Sequence, residues 1–480
     1  MARRMQLRPQ ALTPEIETNH GMKGIVAYSL GALAAVIAFA SCVKTEGSGA
    51  DSTARDSSTA SAAACAGDNG GIKLPDGFCA TVFADTIGHA RHIVVNSNGD
   101  VYVNTWSGDY YTTPAPSGGF LLAMRDTNND GAADIIRRFG PDSLRGNGGG
   151  TGIAIYQGAL YAEELGRSAG RIVRYAISTD SMTPTTSASE VIVSALPVSG
   201  DHPMHPFVIG QSGDLFMNSG SASNSCQIKN RTLESPAKKP CTELLTRGGI
   251  WRYAANRTNQ RFSAAERYAT GIRNAVGIAF DPGGQLYSTQ HGRDQLRENW
   301  PKLYTVERGQ NLPAEELLKI EQGGDYGWPY CSYDGRQRNL VLGPEYGGDG
   351  GKAVGDCATK KGPEAFFPAH WVSDGLVFYT GSQFPAHYKD GAFIAFHGSW
   401  NRAPGPQQGY NVVFVPFAGG KPVDPAKYEI FADGFAGANK SPDAAAHRPT
   451  GLAQGPDGAL YITDDKAGRV WRVVYKGAAK

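Results

Sequence analysis

The apolar and polar positions of this chain repeat one pattern six times. An apolar strand leads into a turn carrying Gly, often with Asp or Pro. A second strand follows and ends in small or polar residues. The six stretches are "ARHIVVNSNGDVYVNTW" from Ala90, "GTGIAIYQGALYAEELG" from Gly150, "HPFVIGQSGDLFMNSG" from His205, "NAVGIAFDPGGQLYSTQHG" from Asn274, "GLVFYTGSQFPAHYKDGAFIAFHG" from Gly375 and "RPTGLAQGPDGALYITDD" from Arg448. Tight hairpin turns need Gly, Asn or Asp where φ is positive, so the pattern predicts six β-hairpins. A lone hairpin cannot bury both of its faces. Six four-stranded sheets packed around an axis can, and they leave only short edges. The expected fold is all-β, a six-bladed β-propeller; an irregular pair of all-β sandwiches is the competing arrangement. Residues 296–370, between the fourth and fifth hairpins, are expected to form loops over one face, where functional groups gather.

Composition agrees with many turns and strands. The chain has 480 residues, 41% of them hydrophobic, with 62 Gly and 21 Tyr. The formal net charge is +1, and Lys and Arg are spread without a basic stripe. That argues against nucleic acid as a partner. "MKGIVAYSLGALAAVIAFASC", from Met22, has one Lys, an apolar run too short for a comfortable membrane span, and small residues ahead of Cys42. It is similar to a bacterial lipoprotein signal. That likeness implies a lipid on Cys42, a membrane anchor, and a periplasmic or cell-surface location; a plain secretory signal is the alternative. The expected organisation is an upstream extension over 1–21, the signal over 22–41, a flexible Ser/Ala/Gly-rich tether over 42–72 and the propeller over 73–480. Six cysteines follow Cys42, an even number that suits disulfides in an exported chain. Near-neighbour pairing is the simplest scheme: Cys65 with Cys79, Cys226 with Cys241, Cys331 with Cys357. Six cysteines allow 15 pairings in all. None has the C-x-x-C spacing of a zinc site.

Candidate chemistry begins at "DHPMHPFVIGQSGDL", from Asp201, where two histidines stand ahead of the third hairpin. A neutral imidazole, with an ordinary pKa of about 6.5, suits removal of a hydroxyl proton. Chemistry alone allows His202 or His205 as the base, or a structural role for both at the strand entrance.

Four stretches in order, "GIRNAVGIAFDPGGQLYSTQHGRDQL", "GGDYGWPYCSYD", "FPAHYKDGAFIAFHGSWNR" and "HRPTGLAQGPDGALYITDD", resemble the soluble quinoprotein sugar dehydrogenases, and most of all their sorbosone dehydrogenase-like branch. The resemblance covers residues 73–480. It implies a six-bladed propeller that holds pyrroloquinoline quinone and calcium, oxidises a sugar or sugar aldehyde, and passes electrons to an external acceptor. No C-x-x-C-H haem motif occurs, so an onward carrier would be a separate protein.

The same resemblance assigns roles. It puts the base on His202 with Asp201 as its neighbour. Arg273 and Asn274 would contact the quinone, with the Arg273 charge stabilising the oxygen that gains electrons. Arg448 would bind a cofactor carboxylate, and Arg402 stands near the place of a family lysine. Trp400 is a candidate to stack on the ring, and Asn147 falls near a glutamine that reaches the quinone. Carbonyls of Gly292 and Arg293 would hold calcium, and Asp294 could add a carboxylate. Glu316 and the Tyr326 carbonyl imply a second calcium. One departure concerns the base: Ser221 stands where the glucose-oxidising branch has an aspartate that orients the histidine. Ser221 or Asn224 would have to orient it here.

"DTNNDGAAD", from Asp126, resembles the first half of an EF-hand loop, yet Arg137 stands where the closing Glu belongs. A surface turn accounts for it equally well. Two other functions compete overall. A lactonase-type propeller hydrolase would need a ring of Asn, Asp and Glu on one metal. A non-catalytic binding propeller would have no reason to keep Asp201-His202, Arg273-Asn274 and Arg448 together.

Overall fold

The computed structural model describes residues 65, 67–105, 117–141, 149–184, 186 and 188–477. The extension, the signal, Cys42 and Asn147 lie outside the described residues, as does most of the tether. The described body reaches back to Cys65, ahead of the expected boundary at 73, because Cys65 is bonded to Cys79.

Six sheets form the blades of a propeller, five of four strands and one of five, the second blade gaining the short Gln260–Arg261 in parallel on its outer strand Glu190–Leu196. The first blade runs Ala90–Val95, Val101–Thr105, Leu121–Arg125, Ile135–Phe139. The second to fifth follow the same antiparallel order, opening with Ile153–Tyr156, Phe207–Ile209, Ile278–Phe280 and Ser373–Phe378. The sixth takes Pro449–Gln454, Leu460–Asp464 and Val470–Tyr475 from the C-terminal end, and its outermost strand, Phe78–Ala84, from the N-terminal end. That pairing closes the ring. Each expected hairpin supplies the first two strands of a blade. In the third blade the chain reverses at Gly213, φ +86°, where Gly213 N–H donates to the Gly210 carbonyl.

The cores lie between blades, one cluster at each junction. This explains why the second strands are buried at almost every position instead of on alternate ones. In Ala392–Phe396, Phe393 and Ala395 enter the junction with the sixth blade, while Ile394 and Phe396 enter the junction with the fourth. A strand buried on both faces has no solvent side to keep polar. Each fully buried Phe or Ile contributes about 1.5–3 kcal/mol. The six first strands surround an axial channel of about 440 Å3.

Residues 296–370 are only partly the expected loops. Glu315–Lys319 and Ala365–Phe367 are the third and fourth strands of the fourth blade. The rest includes two short helices, Leu296–Asn299 and Val306–Asn311, and the hairpin of Cys331–Asp334 with Asn339–Leu342. Disulfides join Cys226 to Cys241 and Cys331 to Cys357, so all three near-neighbour pairs form.

Candidate active site

At one end of the propeller, residues that precede or open the first strands meet residues that follow the second strands. They line a cavity of about 450 Å3. His202 comes from the approach to Phe207–Ile209, and Ser221 follows Asp214–Ser219. The two segments lie side by side because Asp201 N–H donates to the Ala222 carbonyl, 3.0 Å. Gly220 permits this approach: a Cβ there would lie 2.6 Å from the His202 Cβ and 2.7 Å from Asn274 Oδ1.

The His202 tautomer follows from its partners. Nδ1 lies 2.9 Å from the Ser221 carbonyl and 3.0 Å from the Ser221 hydroxyl. The hydroxyl donates its own proton to the Ser223 carbonyl, 2.7 Å. Both Ser221 atoms therefore accept, and Nδ1 carries the hydrogen. Nε2 is left with its lone pair. Burial, with Arg273 and His291 nearby, holds the imidazole well below its ordinary pKa, so it is neutral at pH 7. His205 has a different place. It is fully buried, and its backbone N–H and ring Nδ1 meet Glu163 Oε1 at 2.6 and 3.0 Å. Glu163 Oε2 accepts from Thr151 and Gly152 N–H. His205 thus joins the second and third blades and is not among the cavity's lining residues.

Arg273 lines the cavity with its guanidinium fixed. Nε donates to the Asn224 carbonyl at 3.1 Å, Nη1 to the Gly292 carbonyl at 3.0 Å, and Nη2 to Asn224 Oδ1 at 3.0 Å and Asp294 Oδ2 at 2.9 Å. Asn224 therefore anchors the arginine, while Ser221 orients the histidine. Asn274 accepts from Asn218 Nδ2 and donates to His291 Nδ1. The Arg448 backbone N–H donates to Asp464 Oδ1 at 2.7 Å, while its guanidinium donates to the carbonyls of His397 and Gly398, lies over the Trp400 ring and, among the described residues, has no carboxylate as a hydrogen-bond partner. Trp400 is 55% exposed at the cavity lip.

Several expected ligands sit elsewhere. Asp201 does not touch the imidazole; it accepts from Arg231 and Asn230. Arg402 is turned away from the cavity, with Nη1 on the Gln310 carbonyl and Asn311 Oδ1. Its neighbours Trp400 and Asn401 line the cavity instead. Gly292 and Asp294 line the cavity, whereas the Arg293 guanidinium pairs with Glu345 at 2.6 Å. Glu316, drawn with the Tyr326 carbonyl for a second calcium, lies outside the cavity; its Oε1 accepts from Gln290 and its Oε2 is buried and unpartnered. The strand's alternation presents Glu315 to the cavity, with its Oε2 buried and unpartnered. Burial pushes the Glu315 carboxyl up to about 7 and the Glu316 carboxyl up to about 8. Among the described residues, no three His, Cys, Asp or Glu side chains converge as metal ligands. In "DTNNDGAAD", Asp126 and Asp134 are occupied by N–H and hydroxyl groups of the same turn.

A family model described as TrAA12-like matches residues 72–476. The chain belongs to the TrAA12-like family. An uncharacterized protein of Borreliella burgdorferi is 31% identical to this TrAA12-like chain over 221 residues, 45% of the chain and 51% of the relative. A protein of Coprinopsis cinerea named pyrroloquinoline quinone-dependent pyranose dehydrogenase is 28% identical over 239 residues, 42% of the chain and 30% of the relative. The matches thus span about half or less of these curated relatives. Among solved structures, the holo pyranose dehydrogenase PQQ domain from Coprinopsis cinerea superposes with TM-score 0.65 at 18% identity, over 84% of this chain and 97% of that one. The calcium structure of a Trichoderma reesei carbohydrate-active enzyme of family AA12 gives TM-score 0.65 at 20% identity, over 84% of this chain and 97% of that one. The fold is shared with both.

The TrAA12-like site also contains groups not singled out from the sequence. Arg91 pairs with Asp465 at 2.6 Å and Asp374 at 3.3 Å. His291 Nε2 lies 3.1 Å from Asp374, and His397 Nε2 lies 2.8 Å from Asp465. Burial alone would raise both carboxyls. His397 and Arg91, with His291 at Asp374, hold them well below the usual carboxylate range. A signal for the two histidines was present: "QHG" and "FHG" each end the second strand of a blade.

Proposed function

We propose that this protein is a quinoprotein dehydrogenase that oxidises a sugar, such as a pyranose or aldose, at the anomeric carbon and passes electrons to an external acceptor. The names of the Coprinopsis cinerea relative and domain support the cofactor and substrate class. The observation that carries the reading is the His202 tautomer: a neutral imidazole with its Nε2 lone pair free, in one cavity with Arg273, Asn274 and Arg448. The donor set suits a planar polycarboxylate. The Arg448 guanidinium, hydrogen-bonded to the His397 and Gly398 carbonyls, is available to a carboxylate, and Trp400 offers a flat apolar face.

When bound, pyrroloquinoline quinone supplies an electrophilic quinone that accepts the hydride from the substrate carbon. His202 Nε2 takes the hydroxyl proton, and Nδ1–H stays on Ser221 as the ring becomes charged. Arg273 favours negative charge at the acceptor oxygen. The cavity calcium drawn from the sequence finds no free side chain at Asp294, whose two oxygens are both on other groups. Of the groups drawn for it, the Gly292 and Arg293 carbonyls are left, the first already accepting from Arg273 Nη1. A lipid on Cys42 and a periplasmic location complete the proposal.

The test uses the exported form with Cys65 retained. Pyrroloquinoline quinone is added with and without calcium, and dye reduction is followed over a panel of aldoses and ketoaldehydes. Sugar-dependent reduction that needs the quinone supports the reading. Failure to bind the quinone, seen by absorbance, would overturn it.

A further inference from the structure

Asp294 is the hub of a network that reaches the cavity from three sides. Its Oδ2 accepts from Arg273 at 2.9 Å and from Arg231 at 3.0 Å, and its Oδ1 accepts from Asn401 at 2.8 Å. Its backbone N–H donates to Asn224 Oδ1, and its carbonyl accepts from Asn224 Nδ2, both at 2.9 Å. Arg231 sits on the loop closed by the Cys226–Cys241 disulfide. It bridges Asp294 to Asp201, and its Nη1 reaches Gln295. The loop is therefore fastened to the cavity wall through Arg231, and the segment just ahead of it through Asn224.

The consequence falls on Arg273. A guanidinium has five N–H groups. Asn224 takes two of them, Asp294 one and Gly292 one. One Nη1–H remains, on a side chain that lines the cavity. A group held at four donors presents its fifth in a single direction, which is what stabilisation of developing charge requires.

We propose that Asp294 and Arg231 are positioning residues for Arg273, and that Asp294 is not a calcium ligand. This rests on the dehydrogenase reading for its kinetic arm only. In the holoenzyme, Asp294→Asn is expected to lower kcat by about 10- to 100-fold, the usual effect of losing a supporting contact. Quinone affinity by absorbance and calcium affinity by titration calorimetry are expected to stay within about threefold of wild type. Arg231→Gln is expected to lower kcat in the same direction, and Arg231→Lys, which keeps the charge without the fork, to recover part of it. An unchanged kcat in Asp294→Asn overturns the proposal, and so does a tenfold or greater loss of calcium affinity. If wild-type protein binds no quinone, the dehydrogenase reading fails. The positional claim is then decided by the crystal structure of Asp294→Asn: a guanidinium displaced from Asn224 supports it, and one that keeps its place overturns it.

Discussion

The Nδ1 atom of His202 lies 2.9 Å from the carbonyl oxygen and 3.0 Å from the hydroxyl oxygen of Ser221, and neither Ser221 atom has a proton to offer it. A serine and its own backbone thus fix the tautomer that an aspartate fixes in the glucose-oxidising enzymes. The hydroxyl is the dispensable half of the pair. Ser221→Ala is expected to lower kcat less than about tenfold, since the carbonyl still holds Nδ1–H. His202→Gln is expected to lower kcat by about 10²- to 10⁴-fold. Equal losses in the two variants would remove the carbonyl from the account.

His205 provides the contrast. His205→Ala leaves Glu163 short of a buried partner, which costs about 1–3 kcal/mol of stability. The expected result is a lower melting temperature with kcat/KM nearly unchanged. A variant that melts normally and has lost turnover would place the base at the wrong histidine.

The pH profile should carry the mark of a depressed imidazole. His202 must be neutral to accept a proton, so kcat/KM rises with pH through its folded pKa. Burial and the Arg273 charge set that pKa well below 6.5. The acid limb is therefore expected below the range of an ordinary histidine, and Arg273→Met is expected to move it upward. An acid limb at or above pH 6.5 in wild type contradicts this.

Glu315 should make stability fall as pH rises. Its folded carboxyl, lifted by burial from 4.5 to about 7, keeps a proton that the unfolded chain releases earlier. That contribution is full below pH 4.5 and is lost as pH climbs through 7. The rise corresponds to about 3 kcal/mol. Glu315→Gln does not ionise, so it should melt above wild type at pH 8 and close to it at pH 5. The same melting difference at both pH values would argue against a protonated carboxyl.

Arg448 is expected to govern the cofactor and leave the proton transfer alone. Losing charge-assisted hydrogen bonds in Arg448→Gln should weaken quinone affinity by about 10- to 100-fold, with the acid limb in place. Unchanged quinone affinity would return Arg448 to a purely structural role between blades.

The six hairpins were legible because first strands and turns are local: their period and their glycines are written within single short stretches of the chain. The outer strands were less so. Glu315–Lys319 is buried almost throughout and carries no alternation to separate it from a loop. His202, Arg273, Asn274 and Arg448 could be found because each stands in a strand-end motif. The floor of the cavity could not, because its pairs join distant parts of the chain: Arg91 and Asp465 are 374 residues apart. Arg402 stands beside the right positions, and a turn sends it the other way. Nothing in a sequence pattern reports which side of the backbone faces an axis that other blades create.

The sixth blade is built from both ends of the chain, with Phe78 opposite Tyr475. A ribosome delivers Phe78–Ala84 early and its partner Val470–Tyr475 almost last. For most of synthesis, the first strand has no neighbour to pair with. Long-range closure of this kind is slow in folding. A nonsense or frameshift lesion near the C-terminus would then do more than shorten the last blade: it would leave the ring open with an unpaired strand at its start, a species fit for proteolysis or for swapping with a second copy.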